Sequence, residues 1–399
     1  MKPITQKVSQ EFSIFDVAFR PFFLLAGLSS LYLMIIWTGF YTFKLNMNFH
    51  YISAPMWHAH EMLFGYTAAV IAGFMLTVEK YWIGSEIKSK YFLVFLVLMW
   101  ILARVFILTP IFTDSSYVLG VMIDCLFFIV LTVRVSYPII SRKAWNKIGL
   151  VGHLAILSAS NIVFYLGTFN IIPDGQRLGI YSGIFIVVSI IILMGRKMIP
   201  IFTRNALGMK FEPKNWRVID ILSIIAFIIF FVLELFFNYK EIVSLVAIIL
   251  AVLYSIRLYG WYSIDIWNKP LLWVMFVSYS WIVVGFILIF LSKYLNISYF
   301  LAIHSFTYGT IGIMTIGFMC RVILGHTGRN VFNPPQIVFW IFVLLFLGAV
   351  IRVFFPIIFS SQYLVWVGAS QLLWILSFLI FVIKFFPMLV KPKIETKSL

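Results

Sequence analysis

The residues best suited to chemistry are two histidines and a glutamate at the start of an apolar segment. The run from Trp57 to Leu63 contains His58, His60 and Glu61, and a third histidine, His304, lies near the start of another apolar segment. Ionisable side chains at membrane depth lose solvation, so they persist mainly where they bind a ligand or move protons. Neutral imidazole is a common ligand of haem iron and copper. The sequence therefore predicts a cofactor site.

Helix geometry limits which of these side chains can act together. Residues two apart project about 200° apart, so His58 and His60 could face one metal only if the first turn were irregular. His58 and Glu61 are three apart and are predicted to share a face. The alternative is a capped helix end whose histidines meet water at the headgroup region.

The helix that carries His304 is predicted to begin at the same membrane face as the one that carries His60. Its polar and small residues recur at helical spacing on one stripe: His304, Tyr308, Gly312 and Thr315. Imidazoles from two different helices could hold a haem between them. The alternative is a polar contact between helices, and the residues alone favour neither interpretation.

A second group of candidate residues lies at the opposite, predicted cytoplasmic face. It consists of Arg196, Arg204 and Asn205 after the sixth predicted span, and Arg321, His326 and Arg329 after the tenth. Arginine offers planar, paired donors for carboxylates and phosphates. These residues could bind haem propionates, an anionic headgroup or a small anion, with His326 as a metal ligand. Ordinary basic loop residues are the alternative, although the glycines around His326 predict a tight backbone.

The elements that position these residues are membrane-spanning helices. The chain is 63% hydrophobic and 11% charged, whereas soluble domains are about 45–50% apolar and about 25% charged. Long unbroken apolar runs favour helices over barrel strands. We therefore predict an all-α, polytopic helical bundle that forms one integral-membrane domain over residues 1–399, with the lipid bilayer around it. About twelve spans are predicted, at 22–43, 57–78, 91–110, 116–138, 149–168, 178–201, 217–237, 240–259, 270–292, 298–320, 336–356 and 364–387.

Charge placement predicts the orientation and excludes one class of partner. Lys and Arg concentrate in alternate loops, which predicts that both termini are cytoplasmic. The net charge of +16 is spread over short loops, so we expect no nucleic-acid partner. Within the spans, Arg104 and Arg352 lie near outer helix ends and are predicted to snorkel to the interface. Asp124 lies deeper and is predicted to have a buried partner.

Four longer strings carry a family resemblance. They are Trp57 to Gly65, Arg196 with Ile199 to Asn205, Leu271 to Trp273 with Tyr279 and Trp281, and Leu324 to Arg329 with Arg321. With them, nearly the whole chain resembles the NnrS family of bacterial membrane proteins, which contain haem and copper and are linked to nitric oxide stress and denitrification.

The resemblance implies cofactors and a set of residues that bind them. The implied cofactors are haem, of the b type, and copper. The implied metal ligands are His58, His60, His304 and His326, and the implied cofactor contacts are Glu61, Arg196, Arg204, Asn205, Arg321 and Arg329. The chain departs from the family pattern at Phe276, where a histidine often follows the Leu-Leu-Trp string. This departure implies that the metals are held differently here, or that one is absent.

Three functions are compatible with these observations. The first, implied by the resemblance, is a haem- and copper-binding protein of the bacterial cytoplasmic membrane that handles nitric oxide or its metabolites. A quinone or another electron donor would be its partner, and an enzymatic role is left open. The second is a transporter or channel for a small anion or metal ion, although we find neither an internal repeat nor broken helices near the midplane. The third is a sensor or assembly factor without chemistry of its own.

Overall fold

The part of the chain that the structure describes contains twelve long apolar helices. A computed structural model describes residues 13–46, 51–84, 89–108, 114–208 and 211–394. The structure is 84% helical, and its described residues contain no strand. The helices long and apolar enough to cross a membrane are α1 (Phe19–Tyr41), α2 (Ala54–Lys80), α3 (Lys90–Leu108), α4 (Ser116–Ser141), α5 (Trp145–Thr168), α6 (Gly175–Leu207), α7 (Arg217–Phe236), α8 (Lys240–Trp261), α9 (Pro270–Tyr294), α10 (Tyr299–His326), α11 (Ile337–Ile358) and α12 (Ser360–Val390). The predicted all-α multi-pass fold is confirmed.

Short connections make successive helices pack as antiparallel pairs. The turn between α5 and α6 shows why small residues are needed there, because a Cβ at Gly167 would lie 2.3 Å from the backbone nitrogen of Gln176. In lipid, such close helix contact supplies the packing energy that the hydrophobic effect supplies in water.

The first and last described segments of the chain lie at the same end of the bundle. The amide of Ser13 donates to the carbonyl of Val390 over 2.9 Å, and Arg20 Nη1 donates to the carbonyl of Leu389 over 2.8 Å. The start of α1 and the end of α12 therefore lie together. We call this the basic end, because the loops that follow the even-numbered helices bring most Lys and Arg residues to it. The other end is called the distal end.

Two helices extend further than predicted at the basic end. The sixth span was predicted to end at residue 201 and the tenth at residue 320, but α6 reaches Leu207 and α10 reaches His326. Pro200 lies inside α6, where it removes one backbone donor without ending the helix. Arg204 and Arg321, which follow the predicted ends of these spans, therefore lie on helices and not in loops.

Two helices contain a π-helical segment that the sequence did not predict. In α2 it covers Glu61–Thr67 and in α10 Ser305–Gly312. Each segment directly follows a histidine, His60 or His304. A π turn holds more residues than an α turn, so the side chains that follow it point in other directions than they would in a continuous α-helix. Such segments are frequent at functional sites.

Candidate functional site

His60 and Glu61 belong to a buried polar network between α2, α3, α4 and α5. His60 Nδ1 lies 3.0 Å from Glu61 Oε1, and its Nε2 lies 2.9 Å from Asn161 Oδ1. Arg104 Nε lies 3.1 Å from the second oxygen of Glu61, and its Nη2 contacts Asp124 Oδ1. None of these side chains is more than 3% exposed. The network therefore joins four helices away from water.

Asp124 contacts other members of this network through both of its carboxylate oxygens. Its Oδ2 accepts hydrogen bonds from Asn161 Nδ2 over 3.1 Å and from the Tyr165 hydroxyl over 2.9 Å. The prediction of a buried partner for Asp124 is confirmed. The prediction that Arg104 snorkels is wrong, because Arg104 is buried between two carboxylates that compensate its charge.

The imidazole of His60 has no nitrogen left for a metal in this arrangement. Both ring nitrogens lie within hydrogen-bond distance of a side-chain oxygen, Nδ1 of Glu61 Oε1 and Nε2 of Asn161 Oδ1. A metal needs a deprotonated nitrogen, so ligation by His60, which stays a prediction, would require breaking one of these bonds.

His58 points elsewhere. Its ring stacks on Trp37 of α1, with ring centroids 4.4 Å apart and planes 8° apart. The prediction that His58 and His60 diverge is therefore consistent with their surroundings. His58 and Glu61 contact different helices, since Glu61 contacts Arg104 of α3, and the prediction that the two share a face stays a prediction. Nδ1 of His58 is buried and has no hydrogen-bond partner within the described residues.

His304 lies at the same distal end and is held by α11. Its Nδ1 lies 2.7 Å from the carbonyl oxygen of Phe300. That oxygen can only accept a hydrogen bond, so the contact requires a proton on Nδ1. Nε2 is then an acceptor, and Arg352 Nη2 donates to it over 3.2 Å. Arg352 Nη2 also lies 3.4 Å from the Tyr363 hydroxyl, while its Nη1 is buried without a hydrogen-bond partner in the described part of the chain. The prediction that Arg352 snorkels is wrong.

Arg352 connects the two distal histidines. Its guanidinium contacts His304 and lies within electrostatic range of His58. We call these three residues the distal histidine site. Sequence reasoning identified both histidines but assigned Arg352 to the membrane interface, although its position inside an apolar span was a signal for a role at a site.

The side chains of the distal histidine site suit a metal held by one or two histidines and do not suit a site closed by three or four protein ligands. Two imidazoles, one with a buried unpartnered nitrogen, suit a metal held by one or two histidines, as haem iron is. A site closed by three or four protein ligands, as in structural zinc centres, does not fit. Among the described residues no group of three or more His, Cys, Asp or Glu side chains is arranged to hold a metal ion.

At the basic end, Arg196 is part of an ion cluster that sequence reasoning missed. Its Nη2 lies 2.5 Å from Asp220 Oδ2, and Arg257 Nη2 donates to Asp220 Oδ1 over 2.7 Å. Arg257 Nη1 also donates to the Tyr279 hydroxyl over 3.1 Å. Opposite charges at the same ends of neighbouring predicted spans, Asp220 in the seventh and Arg257 in the eighth, were the signal.

The other predicted residues of this end have separate surroundings. The Arg321 guanidinium lies 3.7 Å from the centre of the Phe202 ring, and the His326 ring lies 5.3 Å from that of Phe19. Arg329 Nη1 donates to the Thr327 carbonyl over 3.4 Å, and Arg204 and Asn205 are exposed on the last turns of α6. Gly328 has a φ of 78°, as the predicted tight backbone requires.

The candidate residues thus form two groups at opposite ends of membrane-spanning helices. A bilayer core is about 30 Å thick, so one haem bound at the distal histidine site could not also reach the arginines of the basic end. Arg352 is the cation that contacts the distal histidine His304.

Comparison with known proteins agrees with the sequence resemblance. A family model described as NnrS protein matches residues 13–393. No curated protein matches the chain. Because the family model covers nearly the whole of this multi-pass membrane protein, the chain belongs to the NnrS family.

Proposed function

We propose that this protein handles nitric oxide or its metabolites through a haem or copper centre at the distal histidine site. Membership of the NnrS family supports the proposal. The observation that carries it is the buried, unpartnered Nδ1 of His58 at the same end as the His304–Arg352 pair. An unsatisfied buried polar atom costs about 1–3 kcal/mol, and a metal bond to that nitrogen would remove the cost.

The residues around the site suit this role. Metal-bound histidines usually donate their second ring nitrogen to a carbonyl or carboxylate, and His304 makes such a bond to Phe300. Arg352 has an unsatisfied Nη1 that can donate to a haem propionate or to an anionic ligand. Haem iron or copper bound there would supply a redox centre that coordinates nitric oxide.

The proposal includes a location and a partner. By the positive-inside rule the basic end faces the cytoplasm, which puts the distal histidine site at the outer face of the bacterial cytoplasmic membrane. Nitric oxide is uncharged and enters from the lipid phase. A quinone or another membrane electron donor would supply electrons to the centre.

Replacing His58 or His304 with alanine tests the site. Protein purified from cells supplied with haem and copper should absorb in the Soret region and contain metal, and each alanine variant should lose most of it because a ligand is gone. Arg352→Gln should weaken metal binding about 10–100-fold, as the loss of an outer-shell partner does. The measurements are absorption spectra and metal analysis, with and without nitric oxide.

The matched control is His153→Ala. His153 is near the basic end, where its ring nitrogens contact the Gly149 carbonyl and the Ser189 hydroxyl, so its loss should leave the spectrum unchanged. A colourless, metal-free wild-type protein would refute the proposal. Loss of the spectrum in His326→Ala, with full retention in His58→Ala and His304→Ala, would move the centre to the basic end.

The transporter alternative has less support. The observation in its favour is the pair of π-helical segments in α2 and α10. Transporter helices that line a central site are typically broken, with unwound backbone near the midplane. Here the α-helical residues of α2 and α10 continue directly into and out of each π segment.

A further inference from the structure

A cavity of about 410 Å³ lies at the basic end, where the start of α5 meets the end of α6. Three cations line it, Lys147 from α5 and Arg196 and Lys197 from α6. The amides of Asn146 and Asn215 line it as well, and no Asp or Glu is among the described residues that form its wall. The cavity is therefore a concave, positively charged site.

The cations of this cavity are held close together. The amines of Lys147 and Lys197 are near enough to share a hydrogen bond, and like charges at such a distance repel. Asp220 contacts Arg196 and Arg257 through its two oxygens, so it offsets only part of the positive charge of the three lining cations. An anion placed among these cations would turn repulsion into attraction.

Hydrogen-bond donors add to the charge. Trp261 Nε1 donates to Asn215 Oδ1 over 2.9 Å, which orients the amide so that its NH₂ group can donate to a ligand. Gly149 and Leu150, near the N-terminal end of α5, also line the cavity, and the positive end of a helix dipole favours anions. This donor set matches the oxygens of a phosphate.

The apolar lining residues and the exposed tryptophans nearby indicate what carries the phosphate. Leu150, Leu193 and Met194 supply apolar surface to the wall of the cavity, which a free inorganic ion would not use. Trp145 and Trp216, next in sequence to the lining residues Asn146 and Asn215, are exposed. Exposed tryptophans are typical of the headgroup level of a membrane.

We propose that this cavity binds the phosphate of an anionic phospholipid from the leaflet at the basic end, with the lipid's glycerol and upper acyl carbons on the apolar wall. Basic pockets between membrane helices have the chemistry for such headgroups. The proposal is independent of the metal centre, because the cavity and the distal histidine site lie at opposite ends of the bundle.

Native mass spectrometry of the purified full chain tests this proposal, by titration with phosphatidylglycerol and, separately, phosphatidylcholine. We expect phosphatidylglycerol to bind more tightly, and Lys147→Gln or Lys197→Gln to weaken its binding about fivefold each, since a basic residue near anionic lipid contributes about 1 kcal/mol. The double variant should bind more weakly than either. Lys391→Gln, an exposed lysine at the end of α12, is the matched control and should bind as the wild type does.

Two further measurements keep the result interpretable. Lys147→Arg with Lys197→Arg preserves the charge and should retain binding, and thermal unfolding shows whether the glutamine variants fold. Equal binding of the two lipids, or unchanged binding in the double glutamine variant, would overturn the proposal. Displacement of the lipid by excess inorganic phosphate, with the same dependence on the lysines, would overturn the lipid assignment in favour of a soluble anion.

Discussion

Arg104→Met should destabilise the protein by about 3–5 kcal/mol, the usual result of removing one partner from a buried ion pair. Methionine keeps much of the side-chain volume but removes the charge that faces Glu61 and Asp124. Both carboxylates would then lose the guanidinium that contacts them in the buried network. We expect poor expression and a much lower unfolding temperature in detergent.

A second substitution should rescue much of this loss. Asp124→Asn in the Arg104→Met background removes one of the two carboxylates while keeping an oxygen that accepts from Tyr165 and Asn161. The double variant should therefore be more stable than Arg104→Met alone, although each single change destabilises the wild type. Such non-additivity is expected of residues in one network.

An exposed ion pair supplies the control. Lys293 and Glu241 form a salt bridge at the distal end in which Glu241 is largely exposed, and exposed pairs contribute little. Lys293→Met should leave the unfolding temperature unchanged. If Arg104→Met behaved like Lys293→Met, the four-helix network could not be what holds α2 against α3, α4 and α5.

The fold was predictable because lipid leaves few choices. A backbone in hydrocarbon must satisfy its own hydrogen bonds, so each long apolar run had to be a helix, and charged loops marked the turns. The prediction failed where this constraint ends. Beyond the bilayer, water can replace lost backbone bonds, so nothing in hydropathy showed that α6 continues past Pro200 to Leu207.

The partners of buried side chains were less predictable. Asp124 lies too deep to reach water, so a partner was required, but its identity depends on how helices far apart in sequence pack. Arg104 and Arg352 lie near helix ends, where snorkelling and burial are both possible for a long side chain. For Arg104, a sequence signal that favoured burial was the presence of acidic residues in the two neighbouring predicted spans, Glu61 in the second and Asp124 in the fourth.

A sequence pattern based on 3.6 residues per turn could not predict the two π-helical segments. The prediction of a single stripe from His304 to Thr315 assumed that period throughout. In the structure His304 contacts Arg352 of α11, Tyr308 donates to the Ser370 carbonyl of α12, and Thr315 lies 2.5 Å from the Tyr66 hydroxyl of α2. The stripe is spread over three neighbouring helices, and His304 is brought to Arg352.

Gly309→Ala tests how closely that segment must pack. Gly309 lies in the π-helical part of α10, and a Cβ there would be 2.4 Å from Cδ2 of the Trp281 ring on α9. Trp281 is buried and packs against Phe354, so the ring has little room to move. We expect a loss of about 1–3 kcal/mol, as for other overpacked cores, measured as a lower unfolding temperature.

Gly152→Ala is the matched control, since a Cβ at Gly152 of α5 would meet no atom within 4 Å. It should be neutral or stabilise the helix by up to about 1 kcal/mol. Trp281→Leu combined with Gly309→Ala should cost less than the two single losses added together, because the smaller side chain makes room for the new methyl group. If Gly309→Ala were as harmless as Gly152→Ala, the contact between α9 and α10 would be loose, and close packing could not be what fixes His304 beside Arg352.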